Sequence, residues 1–349
     1  MSLRRFAMAV WRRSRQTAID GAAKLEGAVV RFDTRPRIRA ETAGSGAGET
    51  PGARVVVFCH YDRRGRIWRH TRDYLDSLRE AGFAVVFVSN GAPIAPEDRA
   101  WILARAWRVI ERENVGYDFG AWRDGIAACG LPRADTALLA IANDSVYGPF
   151  APVARLVDRM DFGEADVWGV TDSWQHRWHL QTYLVVFGRR VLRDPAFGAF
   201  WSGVPNRRLK RGVVLDSEIG LTRAMMAAGL RCRALWPYTD VLDHLRRSAE
   251  VAAEEREAPP PDPMTEASER NRERVLRAAA RRVPLNPTAD LWRALLEQGC
   301  PFLKRELLRD NPGGVQDVAA WRDVLAQAGH GDPEVILRDL ERSLRNRAP

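Results

Sequence analysis

The chain has 349 residues, 46% of them hydrophobic and 28% charged, which suits one large domain or one domain with an appendage and excludes a disordered chain. No run approaches the length of an apolar membrane-spanning helix, and the four cysteines (Cys59, Cys129, Cys232, Cys300) form no CxxC pair, which speaks against a zinc site or a disulfide framework. The net charge is +9, and residues 1–40 supply +7 of it through ten Lys or Arg against three acids; the nearly balanced remainder argues against a nucleic-acid-binding body.

Residues 1–41 read as a basic amphipathic N-terminal segment. In "SLRRFAMAVWRRSRQ", Phe6, Val10 and Trp11 stand among arginines, the pattern of a helix lying on an anionic membrane surface; a frayed basic terminus has the same composition. "TAGSGAGETPGA", residues 42–53, reads as a linker. "RVVVFCHYD" then predicts a buried strand that ends polar. Ile67, Thr71, Tyr74, Leu75 and Leu78 recur at helical spacing up to Gly82, where a helix C-cap belongs. "FAVVFVSN" predicts a second strand. Pro96, Glu97 and Asp98 open a helix carrying Ile102, Ala106, Val109 and Ile110. "ALLAIANDS", "ADVWGVTDS" and "TYLVVFG" predict further strands. Residues 249–269, acidic and proline-rich, read as a linker, and 270–349 as a helical C-terminal region without strands.

Near-continuous apolar strands alternating with helices over residues 54–248 predict an α/β fold with a mostly parallel sheet. Ligands of such sheets sit beyond the strands' carboxyl ends. Those ends here are "HYD" (60–62), "SN" (89–90), "NDS" (143–145) and "TDS" (171–173), and Asp62, Asp118, Asp144 and Asp172 are candidates for one rim. Asp144 is either an Asx turn before Gly148-Pro149 or a ligand of a divalent cation that bridges a diphosphate. "RENVGYDFGAWRDGI" resembles a loop entering a helix N-terminus, suited to phosphate or hydroxyl groups; a glycine turn with Asp118 as cap is the plainer reading. Gln181 and the HxxH pair His176 and His179 suit polar contacts to a sugar or diphosphate. Asp216 and Glu218 open a helix as dipole-complementing acids, or Glu218 is a general base toward an acceptor hydroxyl. No strand is followed by GxGxxG, and no nucleophile elbow is present, which disfavours a nicotinamide oxidoreductase and a hydrolase.

In order along residues 54–312, "HYD", "VSN", "RENVGYDFGAW", "NDSVYGPF", "DVWGVTDS", "HLQTYLVVF", "DSEIGLT" and "NPTADLWRALLEQGCPFLKRELLRDNP" resemble the rhamnan synthesis protein F family of bacterial polysaccharide enzymes. The resemblance implies a GT-A-like α/β/α sandwich with a helical C-terminal region. It implies transfer of L-rhamnose from dTDP-L-rhamnose to a glycan or lipid-linked glycan acceptor at the cytoplasmic face of the inner membrane. Carried onto this chain, His60, Asp62 and Asn90 would line the nucleotide end. Asn114, Gly116, Tyr117, Asp118 and Trp122 would hold the diphosphate or donor sugar. Asp144 and Ser145 would take the metal-site position for Mg²⁺ or Mn²⁺, with one acid where the usual motif has two and Asn143 as a substrate contact. Gln181 and Tyr183 would face the acceptor, with Glu218 as base and His179 as a further substrate contact. Arg123, Lys304 or Arg305 would add positive charge in a metal's place. The alternatives are another nucleotide-sugar donor, or a non-catalytic glycan-binding or assembly subunit.

Overall fold

The computed structural model describes residues 19–46, 48, 50–254 and 263–345. Phe6, Val10 and Trp11 of the expected membrane-surface helix lie outside the described residues. The main sheet contains β1 (Ile38–Ala43), β2 (Arg54–His60), β3 (Ala84–Ser89), β4 (Arg108–Arg112) and β5 (Leu138–Asn143). A short β6 (Val146–Tyr147) leaves the sheet; β7 (Val167–Ser173), β8 (His179–Leu180), β9 (Leu184–Gly188) and β10 (Cys232–Trp236) return to it. The strand order is β1-β4-β3-β2-β5-β9-β7-β10, with β8 pairing β7. β4, β3, β2 and β5 are parallel neighbours, β9 is antiparallel between β5 and β7, and β10 runs parallel to β7. The expected α/β class with a mostly parallel central sheet is therefore the one observed.

Side-chain alternation along the strands builds a core on each face. From β2, Val56 and Phe58 pack with Tyr74, Leu75 and Leu78 of α2 (Arg69–Glu80), while Val55 and Val57 pack on the other face with Trp122 and Ile126 of α4 (Tyr117–Ala128). Each such fully buried large side chain contributes about 1.5–3 kcal/mol. Gly82 follows α2 at φ 82° and its N–H returns to the Arg79 carbonyl, the helix stop expected from the sequence.

The winding reverses beside β2. Successive strands β3 and β4 are laid down on one side of it and β5 on the other. In open α/β sheets that reversal leaves a crevice outside the carboxyl ends of the two strands involved. Those ends are His60 on β2 and Asn143 on β5, which stands beside Cys59 in the parallel ladder.

Four expectations need correction. The helix opened by Pro96 ends at Leu103, and Val109 and Ile110 lie instead in β4. Both are buried, and the strand pairs with β3 on one side and β1 on the other, so tertiary pairing overrides the helical spacing. β1 spans the boundary drawn at 41/42. The end of the basic segment and the start of the expected linker form an antiparallel strand that closes the edge of β4. The acidic linker is entered from both sides by the helices Tyr238–Glu254 and Pro263–Ala280, whose Ala-, Arg- and Glu-rich sequences favour helix despite the flanking prolines. The C-terminal region contains β11 (Leu303–Lys304), which pairs antiparallel with β6, and its core of Trp292, Leu296, Leu307 and Trp321 takes in Tyr147. Gly148 lets this happen. At φ 106° it accepts a conformation L side chains avoid, and a Cβ there would meet the Pro301 carbonyl at 2.2 Å.

Candidate functional site at the strand switch point

β2 and β5 each deliver one charged group to the crevice. His60, buried at the end of β2, places Nε2 2.9 Å from the Arg66 carbonyl and Nδ1 2.7 Å from Asp144 Oδ2. A carbonyl and a carboxylate both accept, so both ring nitrogens donate and the ring is an imidazolium. Burial pulls the His60 pKa down, but the charge of Asp144 and its hydrogen bond outweigh this and the net shift is upward. Asp144 shows the reciprocal effect: burial raises its pKa, and His60, then Arg305, lower it on balance. Asp144 is therefore half of a buried ion pair rather than a simple turn cap.

The turn after β5 is internally braced. Asn143 Oδ1 accepts from the Ser145 N–H at 3.1 Å and from Ser145 Oγ at 2.6 Å, and Asn143 Nδ2 donates to Asp118 Oδ2 at 2.7 Å. Asp118 stands in the first turn of α4, whose start is set by Gly116 at φ 81°. Arg112 holds that start in place. Its guanidinium donates to Asp124 (2.9 Å), Asn90 Oδ1 (2.8 Å) and the Val115 carbonyl (2.7 Å), tying the end of β4 to the loop. Burial, then the charge of Asp144, pushes the Asp118 carboxyl up to about 6.

The C-terminal region closes the crevice. β11 lies along β6, with Arg305 N–H donating to the Ser145 carbonyl at 3.0 Å, which aims Lys304 Nζ at Ser145 Oγ, 3.1 Å away. Arg305 Nη1 donates to the Asp144 carbonyl at 2.8 Å and lies 3.9 Å from Asp144 Oδ2; its Nη2 donates to Asp339 Oδ2 at 2.9 Å. Glu218 ends a π-helical turn, Val214–Glu218, a distortion often found at functional sites. Its Oε1 accepts from Thr182 N (3.2 Å) and Oγ1 (3.0 Å). The charges of Asp118, Glu218 and Lys304 act on one another, so these groups share one crevice with Asp144.

The structure thus brings together His60, Asp118, Asn143, Asp144, Ser145 and Glu218, with Lys304 and Arg305. Gly116 and Tyr117 shape the loop; Tyr117 OH donates to the Arg208 carbonyl at 3.0 Å, and Asn114 is exposed on the same loop. Other expected ligand contacts have their polar groups engaged inside the protein. Asp62 accepts from the Arg64 and Arg66 N–H groups and Trp68 Nε1, because it caps the turn after β2. Asn90 braces Arg112 and the Tyr117 carbonyl. Trp122 is fully buried, donating to the Ala142 carbonyl. Gln181 is bonded to Thr171, Asn286 and Thr288, joining the sheet to the C-terminal region. Tyr183 OH lies 3.0 Å from Thr171 Oγ1 in the core, and buried His179 bonds the Arg177 carbonyl. Arg123 is buried against Asp124 and the Val204 carbonyl, remote from the crevice in its bonding. The sequence reading missed Thr182, which orients Glu218, and Asp339, which holds Arg305; only their polar character marked them.

The turn does not fit a divalent cation. Asp144 is its sole carboxylate and already faces His60 and Arg305, while the Ser145 hydroxyl faces an ammonium. Among the described residues no group of three His, Cys, Asp or Glu is placed to hold a metal ion. No described helix is long and apolar enough to cross a membrane.

Protein comparisons agree with the motif order. Virulence protein VirA of Vibrio anguillarum (strain ATCC 68554 / 775) is 32% identical over 272 residues, covering 76% of this chain and 82% of that protein. Protein y4gN of Sinorhizobium fredii (strain NBRC 101917 / NGR234) is 34% identical over 172 residues, 48% of this chain, and the match spans 45% of that relative's length. Among solved structures, a mannosyltransferase from Pyrobaculum calidifontis in complex with GDP-Man and Mn²⁺ covers 96% of this chain and 91% of its own, at 15% identity and a TM-score of 0.33, too slight a likeness to carry an argument. The rhamnan synthesis protein F family matches residues 85–252, and the chain is a member of that family.

Proposed function

We propose that the chain is a GT-A-like glycosyltransferase that moves L-rhamnose from dTDP-L-rhamnose to a growing cell-surface polysaccharide. Family membership supports polysaccharide synthesis, and the observation that carries the reading is the switch-point crevice itself. It combines an ammonium that makes no ion pair among the described residues, suited to a diphosphate, with carboxylates for sugar hydroxyls and proton transfer. In the transfer, the acceptor hydroxyl attacks the sugar's anomeric carbon as the bond to the diphosphate oxygen breaks. The electron pair leaves with the nucleoside diphosphate, and the hydroxyl proton passes to Glu218. Thr182 holds Glu218 through Oε1, and Oε2 makes no hydrogen bond among the described residues, the arrangement a general base needs. The +7 of residues 1–40 suits a lipid-linked acceptor presented at the cytoplasmic face of the inner membrane.

The test is turnover of dTDP-L-rhamnose, UDP-glucose and GDP-mannose with a lipid-linked glycan acceptor. Glu218→Gln is expected to lower turnover by about 10²- to 10⁴-fold while donor affinity is retained. Unchanged turnover in that variant would remove Glu218 from the chemistry. A folded wild-type chain that binds glycan but turns over no donor would favour an assembly subunit.

A further inference from the structure

The family's donor turn is expected to hold a metal ion, and this chain's turn instead faces two cations. Lys304 is partly buried, makes no ion pair among the described residues, and has Ser145 Oγ as its hydrogen-bond partner, with the Tyr183 ring 5.8 Å away. Buried or partly buried Arg66, Arg72, Arg112 and Arg123, by contrast, each face a carboxylate. A partly desolvated ammonium without a contact ion pair is costly unless an anion arrives. Beside it, Arg305 is neutralised by Asp144 and Asp339, yet its Nε is buried without a hydrogen-bond partner. The β6–β11 ribbon and the bonds to Ser145 and Asp144 hold both side chains against the turn.

We propose that Lys304, supported by Arg305, replaces a divalent cation at this site and neutralises the diphosphate of the donor without metal. This rests on the donor-site reading above and deepens it. Arg305 is a positioning residue: its bonds to the Asp144 carbonyl and Asp339 hold β11 against the turn, and Lys304 carries the free charge. Burial lowers the Lys304 pKa, and the nearby Glu218 and Glu306 oppose this, so a bound diphosphate would further favour the charged form.

The experiment is calorimetric titration of the full chain with dTDP, UDP and GDP, in excess EDTA and again with Mg²⁺ or Mn²⁺. The expected result is binding of at least one nucleoside diphosphate in EDTA, little changed by metal. Lys304→Gln should weaken it about 10- to 100-fold, the loss of a charge-assisted contact, while Lys304→Arg keeps most of it. If Lys304→Gln does not fold, Lys304→Met, which keeps the volume of the stem, repeats the comparison. Binding that needs metal and is indifferent to Lys304 would overturn this inference and leave the donor-site reading standing. Binding of no nucleoside diphosphate under either condition, by a chain with native circular dichroism, would overturn both.

Discussion

Two turns at the carboxyl end of the sheet look alike in sequence and do different work. "NDS" follows β5 and "TDS" ends β7, and each offers an aspartate after an apolar strand. Asp172 of the second is a buried brace, accepting from Tyr238 N–H and Trp178 Nε1, each at 2.6 Å. Asp144 of the first is paired with an imidazolium and stands at the winding reversal, beside a lysine that makes no ion pair among the described residues. What separates a site from a framework here is unsatisfied charge. At "TDS" the donors and acceptors close on one another, and at "NDS" a positive charge is left over.

Removing Asp172 is the sharper way to separate the two. Asp172→Ala leaves the buried Tyr238 N–H unpaired, at about 1–3 kcal/mol, and frees the partly buried Trp178 Nε1 as well, so it should lower the urea midpoint. Nucleoside diphosphate affinity of the folded fraction should be unchanged. A loss of affinity without a loss of stability would mean that "TDS" belongs to the site as well.

A smaller effect tests the electrostatics within the crevice. The Asp118 carboxyl is raised from the usual 3.8 to about 6, so the folded state holds its proton more tightly than the unfolded state. Its stabilising contribution is complete below about pH 4 and is lost as pH rises through about 6. Asp118→Asn should therefore stabilise the fold above pH 6, by about 1–2 kcal/mol after solvent screening, and change little at pH 4. Asp144, with its pKa lowered, titrates in the opposite sense: its contribution is present above the usual carboxylate range and lost as pH falls. Chemical denaturation of wild type, Asp118→Asn and Asp144→Asn between pH 2 and 8 measures the two slopes, and parallel slopes would refute the opposed environments.

Much of this was legible in the sequence. The apolar runs marked β2, β3, β5, β7 and β9 with their polar ends, and the motif order pointed to the right family. β4 was not legible, because "RVIER" has a helix-compatible spacing and becomes a strand only through its two neighbours. β11 is two residues long, too short for any periodicity, yet it delivers Lys304 and Arg305. Residue type marked Gln181, Asn90 and Asp62 as site candidates, but polar character does not tell whether a partner lies inside the protein or in a ligand. Two of Gln181's partners, Asn286 and Thr288, are more than a hundred residues away in the chain, and Asp144 meets Arg305 across 161 positions.

The central claim is that the donor is held at the reversal between β2 and β5, and titration of wild type, Lys304→Gln and Asp172→Ala tests it most directly. The ligand is whichever of dTDP-L-rhamnose, UDP-glucose and GDP-mannose binds wild type most tightly, and each variant is first shown to be folded by circular dichroism. Lys304→Gln is expected to weaken binding about 10- to 100-fold and Asp172→Ala to preserve it. Full affinity in Lys304→Gln, with loss in Asp172→Ala, would contradict it and move the donor along the same rim to the end of β7.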